Sequence, residues 1–265
     1  MPIKKDGSGK RWVEMELIVP GSPEEVWHAI ATGNGNSAWF TKTEIDERIG
    51  GSIAFDFGPN GGSTGEVTHW EPPARFAYVE REWSEGAPPV ATEITITARS
   101  GDRCVLRMVH SLFSSTDDWD DQLEGFEGGW PAFFEVLRIY LAHFAGEKAA
   151  SCFAMARTKE PEAKAWERLT EALGLAGANV AEERTTPPQP EHLAGIVERV
   201  QQDAKQRYLL LRLKAPAAGI ALIGTYSTGD GANASMALYF YGDDARVRAA
   251  DSEPKWRDWL EATFR

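Results

Sequence analysis

The feature that most constrains this chain is a change of period near Asp118. Upstream, from Trp39 to Ser111, apolar and polar residues alternate in about six short runs; downstream, Trp119, Leu123, Phe126, Trp130, Phe133, Leu137, Tyr140 and Phe144 fall three and four apart. A period of two puts successive side chains on opposite faces of a strand, whereas a period near 3.6 lays one stripe along a helix. The first half therefore reads as an antiparallel meander followed by one apolar helical stripe about seven turns long.

The strand runs are Thr43 to Arg48, Ser52 to Phe57, Gly65 to Trp70, Arg75 to Trp83, Val90 to Arg99 and Arg103 to Ser111. Gly50-Gly51, Gly58-Pro59-Asn60-Gly61-Gly62, Pro72-Pro73 and Ser100-Gly101-Asp102 supply turns between them. Before the meander, residues 13 to 19 suit a half-buried strand ended by Pro20 and Gly21. Ser22 then fits an N-cap, Pro23 the first helical position, and Glu24 and Glu25 the positive end of the helix dipole. Val26, Trp27 and Ile30 form that helix's apolar stripe, and Gly33-Asn34-Gly35 is expected to break it. Pro131, after Gly128 and Gly129, removes a backbone donor inside the long stripe, which predicts a kink or a fresh helix start there.

The second half repeats this plan in shortened form. An apolar run from Cys152 to Ala156 precedes a Pro161-led helix carrying Trp166, Leu169 and Leu173. Four strand candidates follow, Leu193 to Gln201, Arg207 to Lys214, Gly219 to Ser227 and Ala234 to Gly242, before a terminal helix with Trp256, Trp259 and Phe264. Either a degenerate repeat or an unrelated α+β extension accounts for this pattern. The stiff connector Thr185 to Pro190 lies inside the second half, so the boundary falls near Gly146 to Ala150, giving domains 11–146 and 151–265.

Charge and composition exclude several functions. Forty acidic residues against 28 basic give a formal net charge of -12, and no basic stripe is present to neutralise phosphates, so nucleic acid and anionic membranes are not expected partners. The polar N-terminus and the interruption of Leu209 to Tyr226 by Arg212, Lys214 and Pro216 argue against secretion and membrane insertion. Cys104 and Cys152 make no disulfide framework, which suits a cytoplasmic protein. His28, His69, His143 and His192 lack metal-ligand spacing, and no nucleophile elbow or phosphate-binding loop occurs, so neither metal nor cofactor is expected. The Gly58 to Gly65 cluster reads as a flexible hairpin that could cover a pocket.

The order strand, helix, six strands, long helix resembles the START-like (SRPBCC) superfamily, and its local motifs are similar to the branch of heat-shock protein 90 ATPase activator homologues. The resemblance covers about residues 11 to 145. Its carriers are Pro23-Glu24-Glu25-Val26-Trp27, Trp39-Phe40-Thr41 at the second strand, Gly65-Glu66-Val67 leading to Pro72-Pro73-Ala74-Arg75-Phe76-Ala77-Tyr78, and Gly129-Trp130 followed by Leu137 and Tyr140-Leu141. It implies an α+β helix-grip fold, a curved antiparallel sheet around a long C-terminal helix, with a smaller α+β domain after it. Glu80 departs from the pattern, since such proteins often carry an aromatic residue there.

In the resembling fold the concave sheet face and the last helix line a pocket. Strand parity and the helical stripe then nominate Phe55, Phe57, Phe76, Tyr78, Ile94, Ile96, Leu106, Met108, Trp130 and Phe134, with Glu80, Tyr78 and His110 as polar anchors. The same spacing also suits an ordinary packed core, with Glu80 solvated and His110 simply hydrogen-bonded. Burying ~300 Å² of apolar ligand surface yields roughly 7 kcal/mol, against association costs of at least about 4 kcal/mol, so useful affinity needs more surface or a placed polar anchor. The leading expectation is binding of a hydrophobic or amphipathic small molecule. Alternatives are a cyclase-, aromatase- or hydrolase-like enzyme using Glu80 and His110 as an acid-base pair, and a cochaperone-like interaction module. The second half is expected to serve as a lid or a dimerisation domain, the latter making a homodimer.

Overall fold

The computed structural model describes residues 3–58, 61–81, 83, 86–114, 117–204 and 206–265. Pro59 and Asn60 of the expected second turn, Glu82 of the fourth expected run, and the side chain of Phe126 lie outside the described residues. The chain forms two compact units, Met1–Gly146 and Glu147–Arg265.

The first unit runs β1 (Lys4–Lys5), β2 (Lys10–Pro20), α1 (Pro23–Ala31), α2 (Gly33–Ser37), β3 (Lys42–Ile45), β4 (Ser52–Asp56), β5 (Gly62–Glu71), β6 (Arg75–Glu80), β7 (Val90–Arg99), β8 (Arg103–Phe113) and α3 (Asp120–His143). Its sheet is antiparallel throughout, in the order β1-β2-β8-β7-β6-β5-β4-β3. This is the expected α+β helix-grip arrangement, with α3 packed along β2. Alternation does what the sequence pattern demands: Val13 and Met15 on β2, and Leu106, Met108, His110 and Leu112 on β8, are buried on the inner face. The outer face carries charge, including the Glu14–Arg107 and Arg75–Glu93 pairs.

Helix α1 starts as its sequence dictates. Ser22 accepts from the Glu25 amide at 3.2 Å while the Glu25 carboxylate accepts from the Ser22 amide at 2.8 Å, a reciprocal capping box. The Gly33-Asn34-Gly35 stretch ends α1 but forms α2 instead of a loop. Thr32 caps it by accepting from the Gly35 amide at 3.0 Å, and Gly35 approaches α1 so closely that a Cβ there would lie 1.9 Å from the His28 carbonyl oxygen. Trp39, Phe40 and Thr41 consequently lie in the turn after α2, before β3 begins at Lys42.

The Gly58 to Gly65 cluster lies in the expected hairpin: β5 begins at Gly62 and pairs Gly62 to Glu66 with β4. Pro131 does not start a new helix, since α3 is continuous from Asp120 to His143 around it. Pro131 is itself exposed, and its neighbours Ala132 and Phe134 are buried, so packing on the opposite side holds the helix together where one backbone bond is lacking.

The second unit comprises β9 (Ala149–Thr158), α4 (Glu162–Ala172), β10 (Glu183–Thr185), β11 (Ala194–Gln202), β12 (Gln206–Ala215), β13 (Gly219–Thr228), β14 (Gly231–Tyr241) and α5 (Ala245–Phe264). Its sheet order is β10-β11-β12-β13-β14-β9, so the strand before the first helix again pairs with the strand before the last helix. The short β10 adds a strand to the four expected between the helices. Leu209, Leu211, Ile223, Leu238 and Phe240 pack with Trp166 of α4 and Trp256 of α5 in one apolar core.

Candidate functional site

Register builds the inner face of the first unit in layers. Gly65, Glu80, Val90, Leu112 and Arg11 lie in the layer at one end; Val67, Tyr78, Thr92, His110 and Val13 form the next. Phe76, Ile94, Met108 and Met15 follow, then Ile96, Leu106 and Leu17. The polar side chains of this face thus lie in the first two layers, among apolar ones, and the two layers below are apolar. The polar end is also where the β4–β5 and β6–β7 turns lie.

In the second layer, a row of polar groups crosses three strands. The Thr92 hydroxyl lies 2.8 Å from His110 Nδ1 and is also hydrogen-bonded with Tyr78. All three residues are buried, at 1% exposure for Thr92, 3% for His110 and 5% for Tyr78. Burial pushes the His110 imidazole down to about 4, so it is neutral at neutral pH. Burial, and secondarily the Glu80 carboxyl, pushes the Tyr78 phenol above its ordinary value and keeps it a neutral hydroxyl.

Glu80 is half-buried in the first layer, and its carboxylate accepts a hydrogen bond from the Ser63 hydroxyl. Burial raises its pKa, opposed by that hydrogen bond. Gly65 makes room for it: a Cβ at residue 65 would lie 3.2 Å from Glu80 Cγ and 2.8 Å from the Val79 carbonyl oxygen. On the same layer Arg11 is taken up by Asp120 in the first turn of α3, with Nε donating to Oδ1 at 2.6 Å. Lys5 joins Asp120 at 3.2 Å.

Aromatic rings cover these groups. Trp130 of α3 stacks on His110 with centroids 5.6 Å apart, and Phe134 lies 5.4 Å from Trp130. Phe40 touches Trp130, Phe133, Phe55 and Phe57 at 4.7, 5.0, 5.8 and 5.8 Å. Phe55 lies 5.6 Å from Tyr78, and Tyr78 5.6 Å from Phe76. Phe57, 38% exposed, is the ring nearest solvent. Two open depressions beside Pro161, lined by residues such as Glu160 and Lys164, belong to the second unit and not to this face.

The nominated residues therefore lie along one face, from Glu80 and Phe57 at the polar end to Leu106 and Ile96 below. Glu80 and His110 are not a direct pair. They are two strands and two residues apart, about 12 Å between Cα atoms from strand spacing and rise, and the His110 hydrogen bond goes to Thr92. Sequence reasoning missed Thr92, Ser63 and the covering role of Phe40. Thr92 shares the parity of Ile94 and Ile96, a signal that was available; Ser63 was hidden in the glycine cluster.

A family model described as activator of Hsp90 ATPase homolog 1-like protein matches residues 20–142. No curated protein matches the sequence. Among solved structures, protein MLL2253 from Mesorhizobium loti is 24% identical, covering 51% of this chain and 98% of its own, with a TM-score of 0.46. CalU16 from Micromonospora echinospora is 22% identical over 53% of this chain and 83% of its own, TM-score 0.43. The di-domain ARO/CYC BexL is 15% identical over 94% of this chain and 92% of its own, TM-score 0.45. The matched residues 20–142 run from the end of β2 to the last turn of α3, so the first unit, with its helix-grip order, is similar over most of its length to the activator of Hsp90 ATPase homolog 1-like family.

Proposed function

We propose that the first unit binds a small hydrophobic or amphipathic molecule between the inner sheet face and α3, with the ligand's polar group at the Glu80 end. The observation that carries this reading is the hydrogen-bonded row Tyr78–Thr92–His110 buried beneath Trp130. A core built only for packing gains nothing from three such groups, whose burial needs hydrogen bonds to be tolerated. They offer neutral donors and acceptors to an incoming group, while the layers below offer apolar surface. Entry requires the contacting rings to part, and the half-exposed Phe57 is the ring freest to move.

Binding is favoured over acid–base catalysis by the separation of Glu80 from His110. Native mass spectrometry of the purified protein, intact against denatured, tests the reading through any co-purifying small molecule. For a ligand so identified, Trp130→Ala is expected to weaken affinity about tenfold, the equivalent of ~1.4 kcal/mol. Unchanged affinity contradicts this placement.

A further inference from the structure

We infer that the occupant of this site carries an organic ammonium group, held by the Glu80 carboxylate; the inference rests on the binding reading above and names its ligand class. Glu80 is the inner-face carboxylate of this unit that no base neutralises among the described residues. Glu14, Asp56, Glu93 and Asp120 each meet a Lys or Arg within 3.3 Å, whereas Glu80 meets the Ser63 hydroxyl. Arg81, its chain neighbour, is exposed and lies 4.0 Å from Glu66. Arg11, on the same layer, is already held by Asp120. The side chains of this unit outside the described residues include no Lys, Arg or His.

A carboxylate removed from water without a cation is costly, and a ligand that brings the cation recovers that cost. The surroundings suit an ammonium group rather than a metal ion or a bare proton. Tyr78 precedes Glu80 on the same strand face, and Phe55, 5.6 Å from the Tyr78 ring, pairs in register with Ser63. Phe57 lies 6.4 Å from Phe55 at the exposed end. Ring faces attract substituted ammonium ions, which are large and weakly hydrated. Gly65 lets β5 run close beside Glu80, since a Cβ there would lie 3.2 Å from Glu80 Cγ. His110, neutral because it is buried, does not repel a cation, and the chain's net charge of -12 raises the local concentration of cations. The layers of Phe76, Ile94 and Met108 below then receive the ligand's apolar body.

The test uses the full-length protein and three probes of one shape: 4-phenylbutylammonium, 4-phenylbutanol and 4-phenylbutanoate, titrated by calorimetry at pH 7.5. The ammonium is expected to bind on the order of tenfold more tightly than the alcohol, with the carboxylate weakest. In Glu80→Gln the preference for ammonium over the alcohol disappears. If the alcohol and ammonium bind the wild-type protein equally, the ammonium inference is overturned and the binding reading stands; this comparison needs no variant to fold. Persistence of the preference in Glu80→Gln overturns the role of Glu80. If none of the three probes binds and native masses are clean, the binding reading itself fails.

Discussion

The two units share a strand order and treat a buried carboxylate in opposite ways. In the second unit, Glu162 at the start of α4 is 6% exposed; it forms an ion pair with Arg207 of β12 and accepts from the Thr225 hydroxyl of β13 at 2.5 Å. Arg207 and Thr225 are register partners, so sheet and helix together neutralise the charge. In the first unit Glu80 has a serine hydroxyl and aromatic neighbours. The inner faces differ accordingly. Leu209, Ile223, Met236 and Ala154 form one row of the second sheet under its helices, where the first sheet has Tyr78, Thr92 and His110. One framework thus holds a carboxylate paired with an arginine in one case and a carboxylate met by a hydroxyl in the other.

Removing a partner is the strongest way to break this contrast. Arg207→Ala leaves Glu162 buried and unpaired and is expected to cost about 3–5 kcal/mol in urea unfolding, whereas Glu80→Gln is expected to be neutral or mildly stabilising. Equal losses would mean that Glu80 is a structural charge like Glu162.

Acid should separate the units next. His110 in the fold titrates about 4, below its ordinary 6.5, because burial disfavours the imidazolium. The unfolded chain therefore binds the extra proton first as pH falls. Stability from this group is complete above 6.5, is lost as pH falls toward 4, and amounts to about 3 kcal/mol. Thr92 and the Trp130 ring face it, and Tyr78 lies beyond Thr92 in the same row. Unfolding followed against pH in His110→Asn should lack this window; a retained window assigns it to other groups.

The smallest expected effect comes from Gly65→Ala. Its methyl group would meet the Val79 carbonyl oxygen at 2.8 Å and Ile53 Cγ2 at 3.1 Å, an overpacking expected to cost about 1–3 kcal/mol. It would also crowd Glu80, so ammonium preference should fall along with stability. A neutral substitution would show that the close approach of β5 to β6 at Glu80 does not require this glycine.

Much of this was legible because strands obey parity. Once β6 and β8 were read, Phe76, Tyr78 and Glu80 had to share a face, as did Leu106, Met108 and His110. Which residues meet across strands was not legible, because register depends on turn lengths and on the irregularity between Val67 and His69 in β5. That is why the Tyr78–Thr92–His110 row and the Ser63–Glu80 bond emerged only in three dimensions, and why a direct Glu80–His110 pair could be entertained. Phe40 belongs to no periodic element, so its four ring contacts with Phe55, Phe57, Trp130 and Phe133 left no pattern in the sequence. Gly33-Asn34-Gly35 misled for the opposite reason: weak helix formers were overruled by close packing on α1.

The proline near the middle of α3 divides that helix into segments of unequal tenure. With one rung missing from the hydrogen-bond ladder, the two halves need not melt together. Beyond Pro131, Val136, Leu137, Ile139 and Tyr140 are at most 2% exposed and tie the C-terminal half to the sheet. The N-terminal half carries Trp130 over His110, buries Leu123 against Val13, Val90 and Leu112, and is fastened at its far end by Asp120 to Arg11 and Lys5. Amide hydrogens before the proline can then exchange through a local opening that spares the rest of the domain. Such an opening costs a fraction of the free energy of global unfolding.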